Sequence, residues 1–164
     1  MRVGRGFAPG KLILSGEHAV VAGHLCLALA VDRGTTVTLT EREGPTRVDV
    51  THPDGRLLQA ILAILPPHGV GVHLETNLPI GRGMGSSAAL AVALIRARAD
   101  LEGRAANFSE CHRDGFIIER IFHGNPSGLD HTVVITGQCL HFNRAETPKF
   151  RQISLGAELP IVIG

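Results

Sequence analysis

The sequence predicts an α+β fold with one domain. Three stretches in the first half alternate apolar or β-branched residues with polar ones, which is typical of half-buried strands. These stretches are Thr35–Thr40, Arg47–Thr51 and Val70–Glu75. Two stretches in the second half, Ser86–Glu102 and Phe108–Phe122, have the composition and end signals of helices. Because strands and helices do not alternate strictly along the chain, the mixture indicates an α+β fold.

The composition bounds the class of protein. A chain of 164 residues, 44% hydrophobic and 19% charged, can bury a core without disulfides or metal ions and is not a disordered tail. Its three cysteines lack C-x-x-C spacing, which argues against a disulfide framework or a zinc site. A net charge of +1 gives no sign of a nucleic-acid partner. There is no signal-like segment and no apolar run near the ~20 residues that span a bilayer, so we expect a soluble, cytoplasmic protein without a membrane partner.

The N-terminal part is predicted to contain several short elements. Phe7–Val21 is expected to be a strand interrupted by a turn at Ala8-Pro9-Gly10, with a polar loop before the chain becomes apolar again. Leu25–Val31 is a short apolar run, as in a buried strand. A turn is expected at His52–Gly55. Leu57–Leu65 has helical content and ends at a Pro-Pro pair.

The C-terminal part is predicted to contain two helices followed by strands. The Ala-rich first helix is expected to end at Gly103, and Ser109 is placed to cap the second. Thr132–Ile135 and Gln138–Phe142 are predicted to form a β-hairpin around a Thr-Gly turn. The last segment, Leu159–Ile163, is predicted to be a strand without its continuation.

The most informative segment is the Gly-rich loop between Leu78 and Ala89. A predicted strand leads in, a predicted helix leads out, and Gly81, Gly83 and Gly85 allow close approach of the backbone to a ligand. The amides at a helix start, together with the helix dipole, favour an anion. The loop is not a Walker A motif, since it has no lysine, nor a G-x-G-x-x-G motif, since a serine takes the last position. A phosphate cradle and a tight turn before a helix both fit this spacing.

Two further segments carry candidate polar residues. In the first, Lys11 follows a turn from which it can reach a phosphate or an acid, and Glu17 and His18 can hydrogen-bond a polar substrate. In the second, Glu119 lies near a helix end and Asp130 follows a rigid Gly/Pro turn, so the two could supply a metal ligand and a base. Ordinary solvated surface residues are the alternative interpretation of each segment.

Together, the three segments resemble the signatures of the GHMP kinases. The runs Ala8-Pro9-Gly10-Lys11 and Gly16–Val21 are similar to those of the mevalonate kinase branch, as is His123–Asp130. The resemblance implies that residues 1–164 are a GHMP kinase N-terminal, ATP-binding domain with the ribosomal protein S5 domain 2-like fold. It also implies that the chain is truncated before the ferredoxin-like C-terminal half of such kinases, which carries a third Gly-rich signature.

The resemblance also implies roles for individual residues. ATP phosphates would be held by the loop residues Pro79, Gly81, Gly83, Gly85, Ser86, Ser87 and Ala88. Mg²⁺, which prefers oxygen ligands, would be bound by Ser87 and Glu119. Asp130 would accept the proton of the attacking hydroxyl, and Lys11 would offset charge on the transferred phosphoryl group. Substrate contacts would come from Glu17, His18 and Ser127.

The implied reaction is the ATP-dependent phosphorylation of the primary hydroxyl of mevalonate to 5-phosphomevalonate, a step of isoprenoid precursor synthesis. ATP, Mg²⁺ and mevalonate are the expected cofactors and partners, and a homodimer is left open. Another GHMP enzyme, such as phosphomevalonate kinase, is an alternative against which the pair Glu17-His18 argues. An inactive fragment that binds nucleotide weakly is the second alternative. The lysine expected beside Asp130 should keep that carboxylate ionised at neutral pH.

Overall fold

The computed structural model describes residues 1–20, 22–49, 55–124, 126–147 and 149–162. The elements run in the order β1 (Val3–Ser15), β2 (Cys26–Pro45), β3 (Arg47–Asp49), α1 (Gly55–Leu62), β4 (His68–Thr76), α2 (Ser86–Leu101), α3 (Phe108–His123), α4 (Leu129–Thr136), β5 (Cys139–Phe142) and β6 (Phe150–Ile153). This is the predicted α+β fold. The last two residues of the strand predicted at Arg47–Thr51, and most of the turn predicted at His52–Gly55, lie outside the described residues.

The six-stranded sheet is organised around β2. Its order is β3-β4-β2-β5-β6, and β1 also pairs with β2. All pairs are antiparallel except β3 with β4, which are parallel. The runs Leu25–Val31 and Thr35–Thr40, predicted as separate strands, belong almost entirely to the 20-residue β2. One long strand forms because β1 pairs with it along most of its length.

The turn predicted at Ala8-Pro9-Gly10 is wrong. β1 is a continuous strand of 13 residues, and the pairing register shifts between Pro9 and Lys11, opposite Gly34 and Ala30 of β2. A proline cannot donate a ladder hydrogen bond, and such residues are found at bulges. The irregularity therefore lies directly beside Lys11.

The Ala-rich helix α2 lies against the sheet and begins and ends where predicted. Its buried residues lie on nearly all sides, so the helix forms the centre of the core. Two glycines of β1 allow this approach. A Cβ atom added to Gly6 would lie 2.1 Å from the carbonyl oxygen of Ala93, and one added to Gly4 would lie 2.3 Å from that of Ala97. The second half of α2 therefore packs closely against the N-terminal part of β1.

The cap predicted for α3 is wrong by two residues. Asn107 caps the helix, with its Oδ1 accepting a hydrogen bond from the backbone N–H of Glu110 at 2.8 Å. Ser109 lies inside the first turn and is exposed. Asparagine and serine are similarly good caps, so residue type does not distinguish them. Asn107 is the cap because it directly precedes the first helical residue, Phe108.

The predicted hairpin is also wrong in its first strand. Thr132–Ile135 lies within the helix α4, which begins after Gly128 and ends at Gly137, both with positive φ. β5 pairs with β2 instead of with this segment. The β-branched residues Val133 and Val134 are fully buried, so packing outweighed their strand preference.

The chain end differs from the expectation as well. The described part of the predicted strand Leu159–Ile163, residues 159–162, is irregular and exposed. The strand in this region is the unpredicted β6, which pairs with β5. None of the helices in the described part of the chain has the length and apolar character needed to cross a bilayer.

Candidate active site

The Gly-rich loop joins β4 to α2 and leaves the helix start open. Gly81, Gly83 and Gly85 have φ values of 72°, 77° and 68°, a backbone region that residues other than glycine rarely adopt. Added Cβ atoms at Gly81 and Gly83 would meet nothing within 4 Å, so the loop faces open space there. Gly85 offers no capping side chain, and the first intrahelical bond runs from the N–H of Ala89 to the Gly85 carbonyl at 2.9 Å. The amides of residues 86–88 are therefore available to an anion.

The predicted phosphate-binding residues differ in exposure. Pro79, Gly81 and Gly83 are exposed, Ser86 and Ser87 are half-buried, and Gly85 and Ala88 are buried. The Ala88 side chain packs in the core, so only its backbone can take part in binding a ligand. The structure thus places all seven residues on one loop and helix start. Their role in binding phosphate stays a prediction.

Lys11 lies beneath this loop. Its backbone N–H donates a hydrogen bond to the carbonyl of Met84 at 3.0 Å, which ties β1 to the loop. Its side chain is buried and runs past Gly85, where an added Cβ atom would lie 2.7 Å from the Lys11 Cγ. The Nζ atom reaches to 3.1 Å from the Oδ1 of Asp130. Glycine at position 85 is therefore what allows the lysine stem to pass.

Asp130 stands in the first turn of α4. Gly128, the N-cap of the helix, has a φ of 85°. The N–H of Leu129 donates a hydrogen bond to the Ser127 Oγ at 3.2 Å, so a local hydrogen bond stabilises the turn before the helix. Burial raises the pKa of Asp130 above its ordinary value, and the charge of Glu119 raises it further, while Lys11 lowers it. The lysine acts in the expected direction, but burial outweighs it. Ionisation of Asp130 at neutral pH stays a prediction.

Each predicted Mg²⁺ ligand contacts a histidine. The Ser87 Oγ lies 3.0 Å from the Nε2 of His123. The buried Glu119 is hydrogen-bonded through Oε2 to the Nδ1 of His131. Both donors are oxygens, the kind that Mg²⁺ prefers, and this ion commonly uses one or two carboxylates together with substrate phosphates and water. The pair fits the ion in donor type.

The described residues contain no group of three or more His, Cys, Asp or Glu that could hold a metal ion alone. A site made of Ser87 and Glu119 would therefore need oxygens of the nucleotide to complete the coordination. This is the ordinary arrangement for Mg²⁺ in enzymes that bind phosphates.

The predicted substrate residues lie on two separate turns. Glu17 and His18 are exposed in the turn after β1, and Ser127 is half-buried in the turn before α4. Burial raises the pKa of the Cys26 thiol, while the charge of Lys11 lowers it. The Cys26 side chain is buried in a core cluster. Substrate binding by the three polar residues stays a prediction.

Two histidines of the site were not predicted. His123 ends α3 and contacts Ser87, and His131 follows Asp130 directly and contacts Glu119. Both lie within or beside the third motif, but nothing in their spacing indicates a partner on another element. Only the packing of α3 against α2 and α4 brings the four side chains into contact.

A comparison with protein families settles the class of this domain. Residues 55–138, half of the chain, match the model described as the GHMP kinases N terminal domain. The chain belongs to the GHMP kinases. The predicted family and fold are therefore confirmed.

Relatives of this GHMP kinase domain include several mevalonate kinases. Over 96% of its length it is 32% identical to the mevalonate kinase of Thermococcus onnurineus, of which it covers 55%. The crystal structure of mevalonate kinase from methicillin-resistant Staphylococcus aureus has a TM-score of 0.71 and 30% identity, covering 93% of this chain and 56% of that one. The structure of L. major mevalonate kinase in complex with R-mevalonate has a TM-score of 0.69 and 26% identity, covering 85% and 48%. The chain thus spans about half the length of the curated relatives it matches.

Proposed function

We propose that this GHMP kinase domain belongs to an enzyme that transfers the γ-phosphoryl group of ATP to the primary hydroxyl of mevalonate. The observation that carries the proposal is the ion pair between the buried Lys11 and the partly exposed Asp130, next to the start of α2, where Gly85 leaves room for the lysine stem. A base, a cation and an anion-binding helix end are thus adjacent. Phosphoryl transfer depends mainly on such positioning and on charge stabilisation.

The Gly-rich loop supports nucleotide binding. The free amides of residues 86–88 and the positive end of the α2 dipole favour phosphate oxygens. The open space at Gly81 and Gly83 leaves room for them against the backbone. The buried ammonium of Lys11 adds a full positive charge next to this helix end.

Asp130 is proposed as the acceptor of the proton. As the mevalonate hydroxyl oxygen forms its bond to the γ-phosphorus, the bond from that phosphorus to the ADP oxygen breaks, and the hydroxyl proton passes to the Asp130 carboxylate. The raised pKa brings this carboxyl closer to neutral pH, which improves a general base. Lys11 stabilises the aspartate and the charge on the transferred group.

Ser87 and Glu119 are proposed to hold Mg²⁺ with the nucleotide. The ion, when bound, would neutralise charge on the phosphate oxygens. Ser87 lies at the start of α2, one residue from the loop, and Glu119 acts electrostatically on Asp130 from α3. Ser87 is therefore part of the proposed phosphate site, and Glu119 is close enough to the proposed base to influence its pKa.

Mevalonate as the substrate is supported by relatives. The L. major enzyme, 26% identical to this chain, binds R-mevalonate. Glu17, His18 and Ser127 are proposed to contact its hydroxyl and carboxylate groups. The reaction is proposed to be cytoplasmic, since mevalonate and ATP are soluble metabolites, and dimerisation stays a prediction.

Product analysis tests the proposal. The protein is incubated with Mg²⁺, γ-labelled ATP and either mevalonate or 5-phosphomevalonate, and the labelled products are separated. We expect label in 5-phosphomevalonate with the first substrate and none in product with the second. Label transferred only to 5-phosphomevalonate would assign a different GHMP kinase, and transfer to neither substrate would contradict the proposed function.

A further inference from the structure

His131 is a fully buried histidine with one satisfied nitrogen. Its side chain has 0% exposure. Its Nδ1 is hydrogen-bonded to the Oε2 of Glu119. Its Nε2 has no hydrogen-bond partner among the described residues. Buried polar atoms are nearly always paired, so this orphaned nitrogen requires an explanation.

The ring of His131 is held by aromatic neighbours from α3. The ring of His112 lies 4.9 Å away and that of Phe116 5.1 Å away, centre to centre, and both meet it edge to face. Phe116 lies one turn before Glu119 on the same helix. The imidazole is therefore packed by the helix that carries its hydrogen-bond partner, and its orientation is restricted.

An apolar side chain would fill this space without an orphaned nitrogen. What a histidine adds to the packing is the hydrogen bond from Nδ1 to the carboxylate. With a proton on Nδ1, the imidazole donates to Glu119, and Nε2 is the atom left without a partner. Burying the unpaired Nε2 costs stability, and what the histidine gains in return is a hydrogen bond to one particular side chain, that of Glu119.

We propose that His131 is a positioning residue that orients the Glu119 carboxylate for Mg²⁺. This inference rests on the proposed function, in which Glu119 binds the metal ion with the nucleotide. The hydrogen bond engages Oε2 and restrains the side chain, so that the carboxylate needs no reorganisation when the ion arrives. Polar groups that hold a ligand in this way commonly change metal affinity 10- to 100-fold.

The position of His131 in α4 gives this role a structural consequence. Asp130, the preceding residue, pairs with Lys11 of β1, while His131 pairs with Glu119 of α3. Of these two neighbouring residues of one short helix, Asp130 is therefore the proposed base and His131 orients the proposed metal ligand. A shift of α4 would displace both.

The test is the effect of Mg²⁺ on ATP binding, measured by calorimetry with ATP in the presence and absence of the metal. The variant His131→Leu keeps an apolar side chain in the pocket but removes the donor, and His131→Asn keeps an N–H near the position of Nδ1. We expect the gain in ATP affinity from Mg²⁺ to fall about tenfold or more in His131→Leu and to be largely restored in His131→Asn. Binding of metal-free ATP should change little in both.

Several outcomes separate this role from a purely structural one. A lower melting temperature in His131→Leu with an unchanged gain from Mg²⁺ would overturn the inference, as would equal losses in both variants. His141→Leu, which removes another imidazole that is not fully exposed, is the control and should keep the full gain. A wild-type protein whose ATP affinity does not respond to Mg²⁺ would overturn the proposed function and the inference with it.

A measurement on the wild-type protein keeps the inference testable if the leucine variant does not fold. Nitrogen-15 NMR of the imidazole reports which ring nitrogen carries the proton. We expect a proton on the Nδ1 of His131, where it can be donated to Glu119. A proton on Nε2 alone would overturn the inference, because Nδ1 could then not donate to Glu119.

Discussion

The Nζ of Lys11 lies 3.1 Å from the Oδ1 of Asp130, and the lysine side chain is only 6% exposed, against 27% for the aspartate. The pair joins a bulged strand to a short helix, so its geometry depends on the tertiary fold. Because the aspartate is the more open partner, it is the one that a substrate can approach. The lysine, in contrast, acts from beneath the site.

Replacing Asp130 by asparagine should abolish phosphoryl transfer. The amide cannot accept the hydroxyl proton, and loss of a general base typically lowers the rate by about 10²–10⁴-fold. ATP affinity should stay within a few-fold, because the phosphate loop lies on another element. Steady-state kcat and calorimetric ATP binding measure the two effects separately.

The control for this variant is Asp32→Asn, which makes the same chemical change at an exposed position of β2. It should leave both quantities unchanged. A kcat like that of the wild type in Asp130→Asn would contradict the assignment of the base.

The variants Ser87→Ala and Glu119→Gln should raise the Mg²⁺ concentration needed for half-maximal activity. Ser87→Ala removes the proposed hydroxyl ligand, and Glu119→Gln replaces the charged carboxylate by a neutral amide, so we expect a rise of about tenfold or more in each. The KM for mevalonate should change much less, since neither residue is proposed to contact that substrate. Activity titrated with Mg²⁺ at saturating and at limiting mevalonate measures both. Ser109→Ala, at an exposed serine, is the control, and an unchanged Mg²⁺ dependence in both variants would show that the metal roles are wrong.

The sequence indicated the class of fold, and the errors have physical causes. The helix beginning at Ser86 was predictable because its alanines and the flanking glycines are local signals. The helix containing Val133 and Val134 was not, since β-branched residues favour strands and only burial against the sheet reversed that preference. The extent of β2 also depends on pairing with β1, which is a long-range property.

The candidate site, like the fold, was predictable only in part. Lys11, Asp130 and the Gly-rich loop lie in recognisable motifs, although their mutual contact depends on the fold. His123 and His131 were not identified, because each acts on a partner in another helix or at another helix start. Motifs indicate residue types, whereas the pairing of side chains requires tertiary packing.

Acid should destabilise the fold through Glu110. This buried carboxylate accepts hydrogen bonds from Arg104 at 2.7 Å and from Arg98 at 2.8 Å. Hydrogen bonds from Arg104, foremost, lower its pKa from 4.5 to about 2. Because the folded-state pKa is the lower one, the stabilisation is present above pH 4.5 and is lost as the pH falls toward about 2. The lowered pKa of Glu110 therefore predicts that the free energy of unfolding decreases as the pH falls through this interval.

The measurement is urea unfolding across that pH range. In Glu110→Gln we expect a lower free energy of unfolding at neutral pH and a shallower decrease in acid. Glu158→Gln, at an exposed position, should follow the wild type. Parallel curves for the wild type and Glu110→Gln would contradict the role of this carboxylate.

Gly85→Ala should impair catalysis more than it impairs stability. An alanine at this φ of 68° is strained, and a left-handed conformation costs about 1–2 kcal/mol. In addition, its Cβ would lie 2.7 Å from the Cγ of Lys11, so the lysine stem must move away from Asp130. A displacement of about 1 Å at such a site can lower the rate about 10²-fold.

Gly103→Ala separates the two effects, because Gly103 has a φ of 76° but nothing within 4 Å of an added Cβ. Both variants should lose similar stability in urea, and only Gly85→Ala should lose kcat. A Gly85→Ala variant with the kcat of Gly103→Ala would show that the lysine does not depend on this glycine for its position.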